Sequence, residues 1–309
     1  MDESLTIEPV PPARLGRVCG FLAGGGEKGP DIRARADGLE RMLRSRRPLR
    51  SWPWWARRGR QCVAAATVME HLGAVGFLLC APLDGPDVAG DAQAETVRRA
   101  TAEARGDGLN FVQDLLEPGD RDRMNLLQRV GYDFLAELVY MELDVSAPGG
   151  FPPPAGVQWR THAEFAPSEL VELIGATYKD SLDCPKLVGR RNVLDVIASH
   201  RSSGRFRPES WYIVDAEGVP AGCVLVNALN DECALDVVYM GVRPAFRGRG
   251  LGRAMMQLAA WSAHRSGVRA LSLAVDSRNC YAKRLYDSMG FVCTRRRIAM
   301  VDLGGSAET

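Results

Sequence analysis

Residues 234–253 read ALDVVYMGVRPAFRGRGLGR, an apolar run that reaches Arg243-Pro244 and then a loop with glycines at 248, 250 and 252. The β-branched and aromatic content of Ala234 to Val242 predicts a strand. The spacing of apolar residues from Arg253 to Arg265 predicts an amphipathic helix. Glycine reaches backbone angles closed to other residues, so successive N–H groups in such a loop can turn inward and face an anion. The helix that follows adds the positive end of its dipole, and Arg247, Arg249 and Arg253 add guanidinium groups. Strand, loop and helix together predict a phosphate cradle built mostly from backbone. The plainer alternative is a Gly-rich turn ahead of an amphipathic helix.

Two familiar phosphate loops fit this segment badly. A nucleotide P-loop needs Gly-Lys followed by Ser or Thr, which the loop lacks, and the Gly24 to Gly29 stretch has Glu27 where such a loop needs glycine. The dinucleotide fingerprint needs a third glycine at the position held by Arg253. What does fit is R-x-x-G-x-G over Arg247 to Gly252. Downstream, Asn279-Cys280-Tyr281-Ala282-Lys283-Arg284-Leu285-Tyr286-Asp287-Ser288-Met289-Gly290-Phe291 fits N-x-x-A-x-x-L-Y-x-x-x-G-F. Together, over about 145 residues, these motifs resemble the GNAT (GCN5-related N-acetyltransferase) superfamily.

The resemblance implies a mixed α/β sheet in which strands 234–242 and 268–275 run parallel and splay apart, with the pantetheine of acetyl-CoA between them. It implies main-chain contacts to the pantetheine from Met240, Gly241 and Val242. It implies pyrophosphate binding by Arg247, Gly248, Arg249, Gly250, Leu251, Gly252 and Arg253. Asn279 matches a position that touches the coenzyme's arm, and it also reads as a helix N-cap. The implied reaction is transfer of an acyl group to a primary amine in a ternary complex, with no metal. Such an amine, with a pKa near ~10.4, must lose a proton before it attacks, whereas a thiolate leaving group with a pKa of ~8.5 needs less help. Tyr286 matches the general acid for that sulfur, and a core tyrosine is its structural alternative. Asp236 is the candidate base: it is a charge within an apolar strand, where the family more often has glutamate, and Glu232 is the fallback. A strand-start carboxylate in solvent is the bland reading of Asp236. A backbone N–H near Met240 to Val242 is the expected oxyanion donor. Acceptor choice is expected in Ala176 to Pro185, where Asp180 and Asp183 either hold a cationic acceptor or are solvated at a helix end. Cys184 has no histidine near it in sequence and reads as a small buried residue.

Outward from these motifs, the chain repeats itself. A shift of 159 positions superposes Gly108 on Gly267, Leu126 on Leu285, Gly131 on Gly290, Tyr132 on Phe291 and Met141 on Met300 without a gap. Each copy reads helix (Ala94 to Arg105; Arg253 to Arg265), strand (Leu109 to Leu116; Val268 to Val275), second helix, final strand. Between the copies, Ser146 to Gly156 holds four prolines and three glycines and reads as a linker. The expected organisation is therefore a degenerate GNAT-like domain over 1–145, a linker over 146–156 and a catalytic domain over 157–309 that opens with a strand at Val157 to Arg160. This tandem architecture is similar to that of mycothiol synthase. In the first copy Val88 to Gln93 (VAGDAQ) stands opposite the Arg-Gly loop, with Asp91 where a phosphate would be repelled, and Leu127 stands opposite Tyr286. That copy is expected to have kept the fold and lost the chemistry.

Bulk properties narrow the partners. With 39 basic and 38 acidic side chains the net charge is +1, so no overall field favours nucleic acid or an anionic membrane. The eight cysteines are scattered, with no pair at zinc-site or thioredoxin-like spacing, and Met1 is followed by Asp2 and Glu3 rather than by a secretory n-region. A cytoplasmic protein is the expectation. Leu72 to Pro82 is too short to span a bilayer and reads as a buried strand. One segment stands outside this account: residues 41–60 carry eight arginines and the cluster Trp52-Pro53-Trp54-Trp55. Arginine interleaved with aromatics suits single-stranded nucleic acid; the alternative is an Arg-rich helix followed by a hairpin with tryptophans in the core. Two functional classes follow, an amine-acylating enzyme and a non-catalytic acyl-CoA-binding or nucleic-acid-binding regulatory protein.

Overall fold

The computed structural model describes residues 4–25, 27, 29–45, 49–82, 88–146, 158–229 and 233–304. The expected linker, apart from Ser146, and the fallback base Glu232 lie outside the described residues. In chain order the elements are β1 (Leu5–Pro9), α1 (Leu15–Gly24), α2 (Pro30–Arg44), β2 (Ser51–Arg58), β3 (Gln61–His71), β4 (Val75–Cys80), α3 (Val88–Gly106), β5 (Phe111–Leu116), α4 (Arg121–Arg129) and β6 (Asp133–Asp144). There follow β7 (Gln158–Thr161), α5 (Pro167–Thr177), α6 (Val193–Ser202), β8 (Trp211–Ala216), β9 (Val219–Ala228), β10 (Ala234–Val242), α7 (Leu251–Arg265), β11 (Ala270–Asp276), α8 (Cys280–Ser288) and β12 (Val292–Asp302). No helix among the described residues is long and apolar enough to cross a membrane. The apolar run at Leu72 is strand only from Val75 to Cys80, because Leu72 to Ala74 form the turn of the β3–β4 hairpin.

The 159-residue shift carries β5 onto β11, α4 onto α8 and β6 onto β12. The matched glycines take the same left-handed backbone: Gly108 at φ 100° and Gly267 at 73°, Gly131 at 99° and Gly290 at 89°. Both second helices start alike, with Asp120 accepting from Arg123 N and Asn279 accepting from Ala282 N.

Contacts divide the chain into two compact units, Met1–Leu135 with Ile298–Thr309, and Ala136–Arg297. These differ from the linear halves 1–145 and 157–309, because the end of each half is built into the other unit. Residues 138–144 of β6 pair antiparallel with β11 and bury Val139, Met141 and Leu143 beside Met255, Leu258 and Ala259 of α7. Ile298–Asp302 of β12 pair antiparallel with β5 and bury Ile298 and Met300 beside Val97 and Ala100 of α3. A strand belongs to the ladder and core that satisfy its backbone and its apolar face, and position along the chain does not decide which.

In the first unit the strands run β1-β2-β3-β4-β5 and then the end of β12; in the second they run β6-β11-β10-β9-β8-β7. One parallel pair interrupts each otherwise antiparallel order, β4 with β5 and β10 with β11. The Arg/Trp segment follows the structural alternative. α2 leads to the β2–β3 hairpin, Trp52 and Trp55 are buried, Arg50 pairs with Glu70 and Arg57 with Glu8. Arg50 and Arg57 also stack on Trp52 and Trp55. Arg46 and Arg47 lie outside the described residues.

Candidate active site

The second unit contains an opening between parallel strands. β10 pairs with β11 from Ala234↔Ala270 to Val237↔Leu273 and no further, while it stays paired with β9 as far as Val242↔Gly222. The register against β9 shifts between Val237 and Tyr239, which marks Val238 as the extra residue of a β-bulge. The bulge changes which side chains face which side. Before it Leu235 and Val237 enter the core under α7; after it Met240 and Val242 pack against that core and Tyr239 turns to the α5 side. Main-chain direction follows from the same ladder. Arg243 N bonds to Ala221 O, so in the antiparallel alternation Gly241 also faces β9, and Met240 and Val242 point their N–H and C=O groups away from β9, toward the opening.

Past the strand lies the glycine loop. Gly248 (φ 76°) and Gly250 (φ 83°) occupy the left-handed region, and a Cβ on either would meet no atom within 4 Å, so the loop is open on that side. Gly250 is the N-cap of α7 and no side chain caps that terminus, which leaves first-turn amides directed outward. Gly252 serves packing instead: its Cβ would lie 3.3 Å from Leu285 Cδ2. Arg249 ion-pairs with Glu217 at 2.7 Å and stacks on Phe246, and Arg253 donates to Ser288 Oγ at 2.6 Å; both are exposed. Arg247, expected to direct its guanidinium at a phosphate, instead donates to four main-chain carbonyls, those of Thr177, Lys179, Asp180 and Val242.

Asp236 stands one residue before the end of the paired region, half-buried, with Oδ1 accepting from Ser272 Oγ at 2.7 Å. Burial raises its pKa above the ordinary carboxylate range, and the Ser272 hydroxyl acts in the opposite direction. Its charge is felt at Tyr140 of β6, whose ring lies under Arg295. Tyr286 comes from α8, is 6% exposed and packs on Phe291. Burial, with Asp183 nearby, raises its phenol well above the usual range, so the proton stays on oxygen at neutral pH. Asn279 is the N-cap of α8.

The segment after α5 brings in residues that sequence reading missed. Asp276 N donates to Asp183 Oδ1 at 3.0 Å, Cys184 N donates to Asp276 Oδ2 at 3.2 Å, and Arg278 ion-pairs with Asp276 at 2.6 Å. Both aspartates are exposed, but Asp183 is tied to the end of β11, whereas Asp180 has a left-handed backbone (φ 56°). The Cys184 thiol is pushed up to about 12 by burial and by Asp183 and Asp276, so it is not a thiolate at neutral pH. Thr177 and Tyr239 share a hydroxyl bond at 2.7 Å, and no periodicity or motif marks that pair.

A splayed parallel pair and an uncapped glycine-loop helix are features that the resemblance implied, and residues 178–291 match the family model Acetyltransferase (GNAT) family. The second unit thus carries a GNAT-family match. Among relatives, the chain is 27% identical over 245 residues to mycothiol acetyltransferase of Geodermatophilus obscurus, covering 68% of this chain and 74% of that one. Two solved structures share its fold over nearly the whole length. A GCN5-related N-acetyltransferase from Sphaerobacter thermophilus has TM-score 0.60 at 19% identity, covering 99% of this chain and 98% of that one. A tandem GNAT protein from the clavulanic acid biosynthesis pathway has TM-score 0.51 at 15% identity, covering 98% and 100%. The two GNAT-like units of this chain are therefore a tandem arrangement.

The first unit keeps the opening and fills it. β4 pairs with β5 only from Val75↔Phe111 to Phe77↔Gln113. Beyond that point the Arg123 guanidinium ion-pairs with Asp114 of β5 at 2.7 Å and donates to Cys80 O of β4 at 3.4 Å. Asp91, on the helix that replaces the Arg-Gly loop, pairs with Arg129, and Leu127 is fully buried where the second copy has Tyr286.

Proposed function

We propose that the second unit transfers an acyl group from acetyl-CoA to a primary amine by direct attack in a ternary complex. The observation that carries this reading is the continuity of the β10–β11 opening with the left-handed Gly248 and Gly250 and the uncapped start of α7. Amides of Gly248 to Arg253 would hold the pyrophosphate, with Arg249 and Arg253 free to exchange exposed partners for phosphate oxygens. Main-chain groups of Met240 and Val242 would bond the pantetheine as an added strand, while those of Gly241 remain with β9. Asn279 would contribute beside its capping role. The coenzyme supplies a thioester whose carbonyl accepts the nucleophile.

The residues of the chain then handle the protons. Asp236, held by Ser272, takes a proton from the amine directly or through water; its raised pKa brings it nearer to the amine's and makes it a better base than an ordinary aspartate. Tyr286, kept protonated by burial, donates to the departing sulfur. An N–H of Met240 or Val242 meets the oxyanion. The experiment is acetyl-CoA titration followed by thiol release over a panel of primary amines. Binding with amine-dependent thiol release supports the enzyme; binding without release for any amine favours a non-catalytic acyl-CoA protein; absence of binding removes the proposal.

A further inference from the structure

The Arg247 side chain lies among acceptors that a phosphate ligand would not need. Its Nε donates to Val242 O at 3.1 Å, Nη1 to Asp180 O at 3.2 Å, and Nη2 to Lys179 O at 2.7 Å and Thr177 O at 3.0 Å. Three of these carbonyls belong to the last residue of α5 and the turn after it, where a helix leaves carbonyls without intrahelical partners and carries the negative end of its dipole. A planar cation with five fixed donors suits such a cluster, and four carbonyls on one guanidinium fix the turn in one place.

The segment from Thr177 to Cys184 is secured at its other end as well. Asp183 and Cys184 bond reciprocally to Asp276 at the end of β11. Between the two anchors the backbone takes left-handed angles at Asp180 and Cys184, both non-glycine, a conformation that persists only where surroundings hold it. Tyr178 rests edge-on against Tyr239, the residue that follows the bulge, at 5.8 Å between centroids. The segment thus lies along β10 on the side that also carries Asp236.

We infer that Arg247 is a positioning residue for the acceptor side of the site: it sets the 177–184 segment against β10 from within the glycine loop and does not ligate phosphate. This rests on the acyl-CoA reading of the second unit. In this arrangement the motif's first arginine joins donor and acceptor sites structurally, while the pyrophosphate is left to the amides, Arg249 and Arg253.

The test uses the full chain with Arg247→Ala, Arg247→Lys and Arg253→Ala, acetyl-CoA titration, and hydrogen exchange of residues 177–184. Arg247 is exposed, so its replacement is expected to leave the fold intact. Expected for Arg247→Ala is an acetyl-CoA affinity within about threefold of wild type, with exchange in 177–184 faster by about tenfold or more. Arg247→Lys is expected to restore protection only in part, since an ammonium cannot reach four carbonyls in a plane. Arg253→Ala is expected to weaken acetyl-CoA binding by about tenfold with unchanged exchange in that segment. With any amine of the panel that is acetylated, Arg247→Ala should raise the amine KM and leave the acetyl-CoA KM nearly unchanged. An Arg247→Ala affinity loss as large as that of Arg253→Ala, or unchanged exchange in 177–184, overturns the inference while the acyl-CoA reading stands. A wild-type chain that does not bind acetyl-CoA overturns that reading, and the exchange result still decides whether Arg247 holds the segment.

Discussion

Replacing Arg123 with methionine removes the cation that faces Asp114 inside the first unit. The Asp114 side chain is 7% exposed and that of Arg123 is 20% exposed, so the carboxylate left behind has little access to water. Breaking such a buried pair from one side costs about 3–5 kcal/mol. For a unit of this size that corresponds to a fall in Tm of roughly 10 °C. Burial already raises Asp114 above the ordinary carboxylate range, with Arg123 pulling it back. Without Arg123 its folded-state pKa rises further. The folded protein then binds a proton that the unfolded chain releases, so stability is regained as the pH falls through the folded pKa. The deficit of Arg123→Met should therefore be smaller at pH 5 than at pH 8. The double variant Asp114→Leu with Arg123→Met removes both charges and should recover most of the loss, since an apolar pair of similar volume is often neutral or better. Thermal and urea unfolding of the wild type, the single variant and the double variant at the two pH values measures this. A single variant that loses less than about 1 kcal/mol, a double variant as unstable as the single, or a deficit that grows on acidification would refute the placement of the pair.

Three further outcomes follow from the second unit. Tyr286→Phe keeps the ring packing on Phe291 and removes the proton donor, so kcat should fall about 10²–10⁴-fold with little change in Tm, and wild-type turnover would remove Tyr286 as the acid. For Asp236→Asn, the acid limb of the pH–rate profile should disappear; in the wild type that limb lies above the ordinary carboxylate range, because burial raises the Asp236 pKa, and rate is lost as pH falls through it. A limb unchanged in the variant would assign the base elsewhere. Gly241→Ala would place a Cβ 2.7 Å from Thr177 Oγ1 and 2.8 Å from the Tyr239 hydroxyl, and should destabilise by about 1–3 kcal/mol in urea unfolding; an unchanged midpoint would contradict that packing.

Much of the fold was legible because repeats preserve backbone demands. The glycines at 108 and 267, and at 131 and 290, mark the same left-handed turns, and the shift between them located the strands and helices of both copies. The exchange of final strands was not legible. β6 and β12 carry apolar residues at the same places of the repeat, Val139 and Met141 against Ile298 and Met300, and nothing in such a run states which ladder it joins. Within the site, the loop glycines and Tyr286 were marked by motif, and Asp236 by a charge in an apolar run. Arg247 misled because a guanidinium beside glycines suits an anion, and only folding brings the turn after α5, 67 residues earlier in the chain at Asp180, to offer carbonyls to it. The link of Asp183 and Cys184 to Asp276 escaped for a similar reason, since Asp183 accepts from Asp276 N, Asp276 accepts from Cys184 N, and neither spacing nor residue type announces it.

The most direct test of the central claim is isothermal titration of acetyl-CoA into the wild-type chain and into Gly250→Asp. Gly250 has φ 83° at the N-cap of α7, so aspartate there both strains the turn and sets a carboxylate where the pyrophosphate would lie. The account predicts binding at one site per chain for the wild type and loss of binding in the variant with its circular dichroism unchanged. Equal binding by both proteins, or binding by neither, would contradict it.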